Sequence, residues 1–165
     1  MLNETSSLTT CATEPTELDW AQLAAYIDGE GSIVISKILR KLRTKNTMRY
    51  SLHIQMGNTH PRLAEWCKEK FGGSTCYMPR KGKEAKAKHR GLFYWSSNSQ
   101  KAAAILRKCL PHFKLKRDQA ELGITFQESL VSRKHTTPEI LAQRDEQYQA
   151  MRALKHIRYE EPTKD

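Results

Sequence analysis

The sequence predicts an α+β domain in which helices cover one face of a four-stranded antiparallel sheet. Residues 47–56 alternate strictly between polar and apolar side chains, which is typical of a strand with one buried face. Two pairs of strand-like segments also occur, separated and followed by helical ones, which predicts the order αββαββα plus C-terminal helices. At 165 residues the chain has the size of a single domain that can form a substantial core.

The first helix is predicted from Glu17 to about Asp28. Thr16 is a suitable N-cap, and Asp19 three positions later completes a capping pattern. Gly29 and Gly31 flank Glu30. Because glycine adopts backbone angles that other residues avoid, we expect the helix to end in a carboxylate at a sharp turn.

One face of this helix carries almost no side chain. Ala21, Ala25 and Gly29 recur at every fourth position, so they share a face of a helix. Small residues at this spacing allow a second helix to approach closely. We therefore expect this stripe to pair with another helix.

The remaining elements follow from apolar periodicity and from glycine and proline positions. The predicted strands are 32–41, 47–56, 74–78 and 92–97, and the predicted helices are 60–71, 98 or 99 to 109, 117–130 and 137–158. We expect residues 1–15 to form a flexible tail, 16–131 the main domain, and 132–165 a helical extension packed on it.

Several classes of protein are excluded by composition. No run approaches the roughly eighteen apolar residues that a membrane helix needs. The first residues lack a basic-then-apolar pattern, so we do not expect secretion by a signal peptide. The four cysteines are far apart and lack zinc-ligand spacing, so we expect thiols in an intracellular protein; Cys67, Cys76 and Cys109 are expected in the core.

Charge is strongly segregated along the chain. Residues 1–30 contain six acids and no Lys or Arg, whereas residues 31–117 contain 21 Lys or Arg and three acids. The net charge of the whole chain is +10. A basic region that also contains strands and aromatic residues indicates a nucleic-acid partner.

The segment Leu23-Ala-Ala-Tyr-Ile-Asp-Gly-Glu-Gly31 resembles the LAGLIDADG motif of homing endonucleases. Residues 50–56 and 111–120 resemble other segments of that family, and the element order is that of its single-motif, homodimeric type. The resemblance extends from about residue 16 to 130. It implies a homing-endonuclease-like αββαββα fold with a saddle-shaped sheet on DNA.

The resemblance also implies a metal site. Glu30 corresponds to the family's final acid and is the expected ligand, with the carbonyl of Gly31 as a possible second one. Asp28 is either a weaker ligand or a residue at the helix interface that hydrogen-bonds the terminus of the partner helix. The expected ion is Mg²⁺ or Mn²⁺, with Ca²⁺ binding without turnover; both hard cations and carboxylates suit phosphodiester hydrolysis.

Three further residues are expected at the reaction centre. Lys116 is the candidate for stabilising charge at the phosphate, although contacting a phosphate would be its simpler role. Asn58 corresponds to the residue that positions water. Arg62 is its possible basic neighbour, and His60 could equally hold that place.

DNA contacts are expected from the polar faces of the strands. Arginine suits guanine and glutamine suits adenine in the major groove, whereas loop lysines contact phosphates. The expected residues are Ser36, Arg40, Arg49, Ser51, His53, Gln55, Thr75, Tyr77, Lys81 and Lys83. The expected dimer interface comprises Ala21, Ala25, Asp28 and Gly29.

These patterns favour a divalent-metal-dependent endonuclease that makes double-strand breaks at a long, near-palindromic DNA site. Such an enzyme would serve intron mobility, in the cytoplasm of a prokaryote or in an organelle. Two alternatives stay open: a non-catalytic protein of the same fold, acting as an intron RNA maturase or DNA-binding regulator, and an unrelated basic RNA-binding domain. The acidic first helix and its small-residue stripe have no explanation in the second alternative.

Overall fold

The computed structural model describes residues 14–41, 46–79, 90–130 and 137–156. Five α-helices and four strands occur in the described residues. In chain order they are α1 Glu17–Glu30, β1 Gly31–Lys41, β2 Asn46–Asn58, α2 Pro61–Phe71, β3 Ser74–Met78, β4 Leu92–Asn98, α3 Ser99–Cys109, α4 Arg117–Ser129 and α5 Pro138–Lys155. A short 3₁₀ helix, Leu110–His112, follows α3. This order confirms the predicted α+β class.

The four strands form one antiparallel sheet in the order β1-β2-β4-β3. In β1, Ile33 and Ile35 lie opposite Ile54 and Leu52 of β2, and all four are buried. Ser36 and Ser51 are opposite each other on the other side. The sheet therefore has a helix-covered face and an opposite face, which we call the open face.

The core forms because each element contributes its apolar side to the same face of the sheet. Leu23 and Ile27 of α1, Trp95 of β4, Leu106 of α3 and Phe126 of α4 have at most 1% of their surface exposed. Apolar burial of this extent is the main driving force of folding. The hairpins are thereby fixed in a register that leaves the polar side chains of β1 and β2 on the open face.

Helix α5 packs beside the β1–β2 hairpin. Met151 is buried, and the carboxylate of Asp145 accepts hydrogen bonds from Lys37 and, at 2.9 Å, from the Tyr50 hydroxyl. Lys37 also lies over the Tyr148 ring. The C-terminal helix is therefore attached to the helix-covered side of β1 and β2.

The predicted helix starts have mixed outcomes. Thr16 and Asp19 form the predicted capping box, and the Thr137 hydroxyl accepts from the amide of Ile140. Asn98 is the N-cap of α3, but its side chain makes no capping hydrogen bond. Element bounds differ from the predicted ones by up to three residues, because end residues are fixed by local hydrogen bonds rather than by apolar periodicity.

Two of the three cysteines expected in the core are there. Cys67 and Cys109 are fully buried, and burial raises the pKa of each thiol to about 12. The expectation was wrong for Cys76, which is exposed on β3. This short strand has no buried residue, so neither of its sides belongs to the core. Among the described helices, none has the length and apolar character needed to cross a bilayer.

Candidate functional site

The junction between α1 and β1 places Glu30 at the end of the helix. β1 begins at the next residue, and Gly31 has an extended backbone with φ −88° and ψ 173°. The expected unusual backbone angle is therefore wrong. A Cβ at Gly31 would lie only 2.6 Å from the Cα of Ile27, so glycine is required here for space, where the strand leaves the helix directly.

Asn58 lies beside Glu30 and orients its carboxylate. The side-chain amide of Asn58 donates to Glu30 Oε2 at 2.8 Å, and its oxygen accepts from the backbone N–H of His60 at 2.8 Å. The second bond fixes which side of the amide faces the carboxylate. In the described part of the chain, nothing donates to the other oxygen of Glu30, which is exposed.

Lys116 reaches the same helix end from the segment before α4. Its ammonium donates to the backbone carbonyls of Ile27 and Asp28, both at 2.6 Å. These carbonyls belong to the last turn of α1, where the helix dipole is negative. Partial burial lowers the pKa of Lys116, and the negative charge of Asp28 partly opposes that effect.

The carboxylate of Asp28 is directed into its own chain. It accepts from the backbone N–H groups of Lys114, Leu115 and Lys116 at 2.7, 3.2 and 2.9 Å. Three such bonds use most of its acceptor capacity. Asp28 therefore holds a segment of its own chain rather than a partner helix terminus, and little acceptor capacity is left for a metal ion. Its place in a dimer interface stays a prediction.

His60 and Arg62 have different positions at the start of α2. The ring Nδ1 of His60 accepts from the backbone N–H of Arg62 at 3.2 Å and so caps the helix. Arg62 is exposed and lines an open pocket of about 400 Å³ together with Tyr26 and Asn58. His60 is exposed too and lines the same pocket, and its cap uses only Nδ1, so both side chains are available to a ligand.

Six of the residues expected to contact DNA lie on the open face of β1 and β2. The register of the two strands puts Ser36 opposite Ser51, and His53 lies two residues further along β2 on the same side. Side chains alternate along a strand, so Arg40, Arg49 and Gln55 are on that side too. Ser36 Oγ, Ser51 Oγ and His53 Nε2 are all within 3.0 Å of one another. Burial and then the charge of Arg49 lower the pKa of His53, which favours its neutral ring.

The expected positions of Thr75 and Tyr77 on the open face are wrong. Both are paired with core-side residues of β4, Trp95 and Phe93, and they line a pocket against α2. Tyr77 also stacks on Phe93, with ring centroids 4.8 Å apart. The pairing register of β3 with β4 decides the face, and five residues without a buried side do not reveal that register. Lys81 and Lys83 lie outside the described residues.

Several open-face residues were not among those expected from the sequence. Register with Gln55 and His53 places Ser96 and Asn98 of β4 on that face, and Ser32 begins it on β1. Tyr94 is also there, opposite Gly57. A Cβ at Gly57 would lie 2.6 Å from the Tyr94 ring, so this glycine leaves room for the aromatic side chain.

The oxygen atoms at Glu30 are suited to bind a hard divalent cation whose other ligands are water or phosphate oxygens. The described residues contain no group of three His, Cys, Asp or Glu side chains that could hold a metal ion. Glu30 and the carbonyl of Gly31 supply oxygen atoms only. Mg²⁺ is often bound by one or two carboxylates together with water and phosphate oxygens, so the chemistry of this donor set fits such an ion.

Comparison with known proteins gives structural but not sequence matches. No protein-family model and no curated protein matches the chain. Among solved structures, the chain is similar to the homing endonuclease I-CvuI in complex with its target in the presence of calcium. The sequence identity is 23% and the TM-score is 0.63, and the match covers 86% of this chain and 85% of that one.

Two other structures extend this similarity. The archaeal intron-encoded homing endonuclease I-Vdi141I, complexed with DNA, has 15% identity, a TM-score of 0.67, and coverage of 89% of this chain and 90% of that one. I-SmaMI, bound to uncleaved DNA with calcium, has 20% identity and a TM-score of 0.55; 85% of this chain matches 46% of that one. The chain has the fold of LAGLIDADG homing endonucleases.

Proposed function

We propose that this protein is a site-specific DNA endonuclease that makes double-strand breaks at a long, near-palindromic site. The observation that carries the proposal is the meeting of Glu30, Asn58 and Lys116 at the end of α1. A carboxylate, an amide and an ammonium lie there beside the first residues of the open face. Phosphodiester hydrolysis needs an attacking water, neutralisation of phosphate charge, and assistance to the leaving oxygen.

Glu30 and the carbonyl of Gly31 would hold the divalent ion, Mg²⁺ or Mn²⁺, and Ca²⁺ would bind without supporting turnover. The ion supplies an activated water and charge neutralisation at the phosphate. Asn58 holds the carboxylate in one orientation through its 2.8 Å hydrogen bond and presents a polar side chain to solvent for positioning water. Arg62, exposed beside Asn58, would contact a phosphate oxygen.

Lys116 would stabilise negative charge at the phosphate. Its two carbonyl contacts fix the ammonium at the helix end, so little reorganisation is needed when a phosphate arrives. A preorganised charge of this kind stabilises a transition state more effectively than a freely moving one. The three N–H bonds of Asp28 hold the segment that carries Lys116, which makes Asp28 a positioning residue.

In this proposal, the open face recognises the DNA bases. Its side chains are Ser36, Arg40, Arg49, Ser51, His53 and Gln55, and Lys81 and Lys83 would contact phosphates. Strands can enter the major groove and present such groups to base edges. Support for DNA as substrate comes from I-CvuI and I-Vdi141I, which were each solved with DNA.

A homodimer would provide the second cleavage site, because the chain has one LAGLIDADG-like segment and a duplex has two strands. The chain matches most of I-CvuI but less than half of the I-SmaMI chain, which agrees with one cleavage domain per copy. We assign the contact to Ala21, Ala25 and Gly29. A cellular role in intron mobility, inside a prokaryotic cell or an organelle, accords with this activity.

The test is cleavage of a randomised DNA library in Mg²⁺, followed by sequencing of the cut ends. We expect one long, near-palindromic consensus with cuts in both strands. Glu30→Gln should reduce cleavage by about 10³-fold or more while specific binding in Ca²⁺ persists, and Lys116→Met should reduce the cleavage rate by about 10²-fold. Specific binding without cleavage by the wild type would instead support the maturase or regulator alternative.

A further inference from the structure

A second lysine reaches the site from α5. The ammonium of Lys155 lies 3.4 Å from the hydroxyl of Ser32, the second residue after Glu30. Ser32 lies on the open face, and β1 is an edge strand of the sheet. The Lys155 side chain therefore extends from the helix-covered side to the end of the open face nearest Glu30.

Lys155 and Lys116 are close enough to influence each other. Partial burial lowers the pKa of Lys155, and the positive charge of Lys116 lowers it further. Neither ammonium has a carboxylate within ion-pair distance in the described part of the chain: Lys116 contacts two carbonyls and Lys155 a hydroxyl. Two neighbouring cations repel each other, which costs stability, and only Lys116 has the charge of a nearby carboxylate, Asp28, acting against the effect of burial.

The packing of α5 does not require Lys155. Met151 is buried against the core, and Asp145 joins the helix to Lys37 and Tyr50. These contacts lie further towards the start of the helix and hold it against the hairpin. Lys155 lies in the last turn of α5, where the helix dipole favours a cation. Arg152 already supplies a cation in that turn, so the dipole alone does not explain why a second ammonium reaches Ser32 beside Lys116.

We propose that Lys155 is a second phosphate-binding residue of this site, which together with Lys116 binds the phosphate group at which the DNA strand is cut. A phosphate carries a negative charge and several acceptor oxygens, so it can accept hydrogen bonds from two ammonium groups. Binding it would replace the repulsion between the lysines by attraction. This assignment rests on the proposed endonuclease function.

The experiment compares Lys155→Met, Lys155→Arg and the wild type on a duplex selected from the cleaved library. Lys108→Met is the charge-matched control, because Lys108 is exposed on α3, which packs on the helix-covered face. Lys155→Met should lower the log–log salt slope of binding by about 1 and slow cleavage at saturating protein by about tenfold or more. Lys155→Arg should retain most of both properties, and Lys108→Met should match the wild type.

A second duplex carries an uncharged methylphosphonate at the cut position. The wild type should bind this duplex more weakly in Ca²⁺, whereas Lys155→Met should bind the two duplexes with a smaller difference. Thermal unfolding of each variant separates loss of contact from loss of folding. Lys155→Met should unfold at the same temperature as the wild type or slightly higher, because removing one ammonium relieves the repulsion, and the other two variants should match the wild type.

The results separate the two proposals. No cleavage by the wild type would refute the endonuclease function and this assignment with it. Normal cleavage by the wild type together with an unchanged salt slope and rate in Lys155→Met would overturn the Lys155 assignment alone. An equal methylphosphonate penalty in the wild type and Lys155→Met would also overturn it, since Lys155 would then contact some other phosphate.

Discussion

At the residue scale, Asp28 and Lys116 connect the end of α1 to the segment before α4, each through its side chain and the backbone of the other segment. The Asp28 carboxylate accepts from three backbone N–H groups before α4, and the Lys116 ammonium donates to two carbonyls at the end of α1. Asp28 satisfies N–H groups of the irregular segment before α4, and Lys116 contacts carbonyls of the last turn of α1. The position of the catalytic candidate Lys116 therefore depends on Asp28.

Replacing Asp28 by alanine should lower the free energy of unfolding by about 1–3 kcal/mol, because three N–H groups lose a charged acceptor. Asp28→Asn should cost less, since its amide oxygen still accepts. Urea unfolding measures the difference. Equal stability of Asp28→Ala and the wild type would show that solvent replaces these bonds at no cost.

His53 gives a pH dependence whose sign follows from its lowered pKa. In the unfolded chain the ring binds a proton as the pH falls through about 6.5, whereas in the folded protein it stays neutral until a lower pH. Between these two pKa values the unfolded state binds more protons than the folded state. The free energy of unfolding therefore decreases as the pH is lowered from about 6.5 to the pKa of the folded protein, and His53 causes no further change at lower pH.

His53→Gln removes this titration. The measurement is urea unfolding of both proteins at closely spaced pH values, because the other five histidines cancel in the difference. We expect the stability of the wild type relative to the variant to decline below pH 6.5. A constant difference would mean that the ring titrates normally in the folded protein.

At the element scale, the helix-to-strand junction has two glycines with different surroundings. A Cβ at Gly31 would meet the backbone of Ile27 at 2.6 Å, while a Cβ at Gly29 would have no heavy atom within 4 Å. Gly31 is thus needed within the chain. Gly29 faces open space in a single copy, as an interface residue would.

Gly31→Ala should destabilise the fold by about 1–3 kcal/mol, since backbone atoms must move to admit the methyl group. Gly29→Ala is the matched control. It should leave stability unchanged or raise it by up to about 1 kcal/mol, because alanine is the better helix former. Chemical unfolding measures the stability of the two variants. Equal losses of stability would contradict the conclusion that only Gly31 is closely surrounded.

At the scale of the whole molecule, the proposed endonuclease would need two reaction centres to cut both strands of a duplex, and each chain would supply one. Ala25 and Gly29 are exposed on α1, and Leu18 and Tyr26 of the same helix are 67% and 44% exposed. A twofold interface must be self-complementary. A helix face of small residues bordered by larger apolar ones satisfies that condition.

Gly29→Leu should therefore disrupt the dimer without unfolding the chain. The side chain has space in one copy but would force two closely packed helices apart. Sedimentation should show a wild-type dimer at micromolar concentration and a largely monomeric variant that no longer makes double-strand breaks. Ala104→Leu, at an exposed position of α3, is the size-matched control and should stay dimeric. A dimeric, fully active Gly29→Leu variant would refute this interface.

The sequence by itself determined the element order, the α1 capping box, the open-face position of six polar residues of β1 and β2, and the position of Glu30 at the end of the first helix. Each of these depends on residues close together in the chain: an apolar period, a cap, or a motif. The excess of basic residues at 31–117 was equally visible. Such patterns are local, and local physics is sufficient to interpret them.

Only the tertiary structure decided the contacts of Asp28 and Lys155 and the sheet face of Thr75 and Tyr77. Asp28 and Lys155 find their partners 86 and 123 positions away, and the faces of Thr75 and Tyr77 depend on the register with β4. Whether a carboxylate is free for metal or bound to backbone N–H groups depends on which segments packing brings together. That choice is made by the burial of the whole core, which no short stretch of sequence contains.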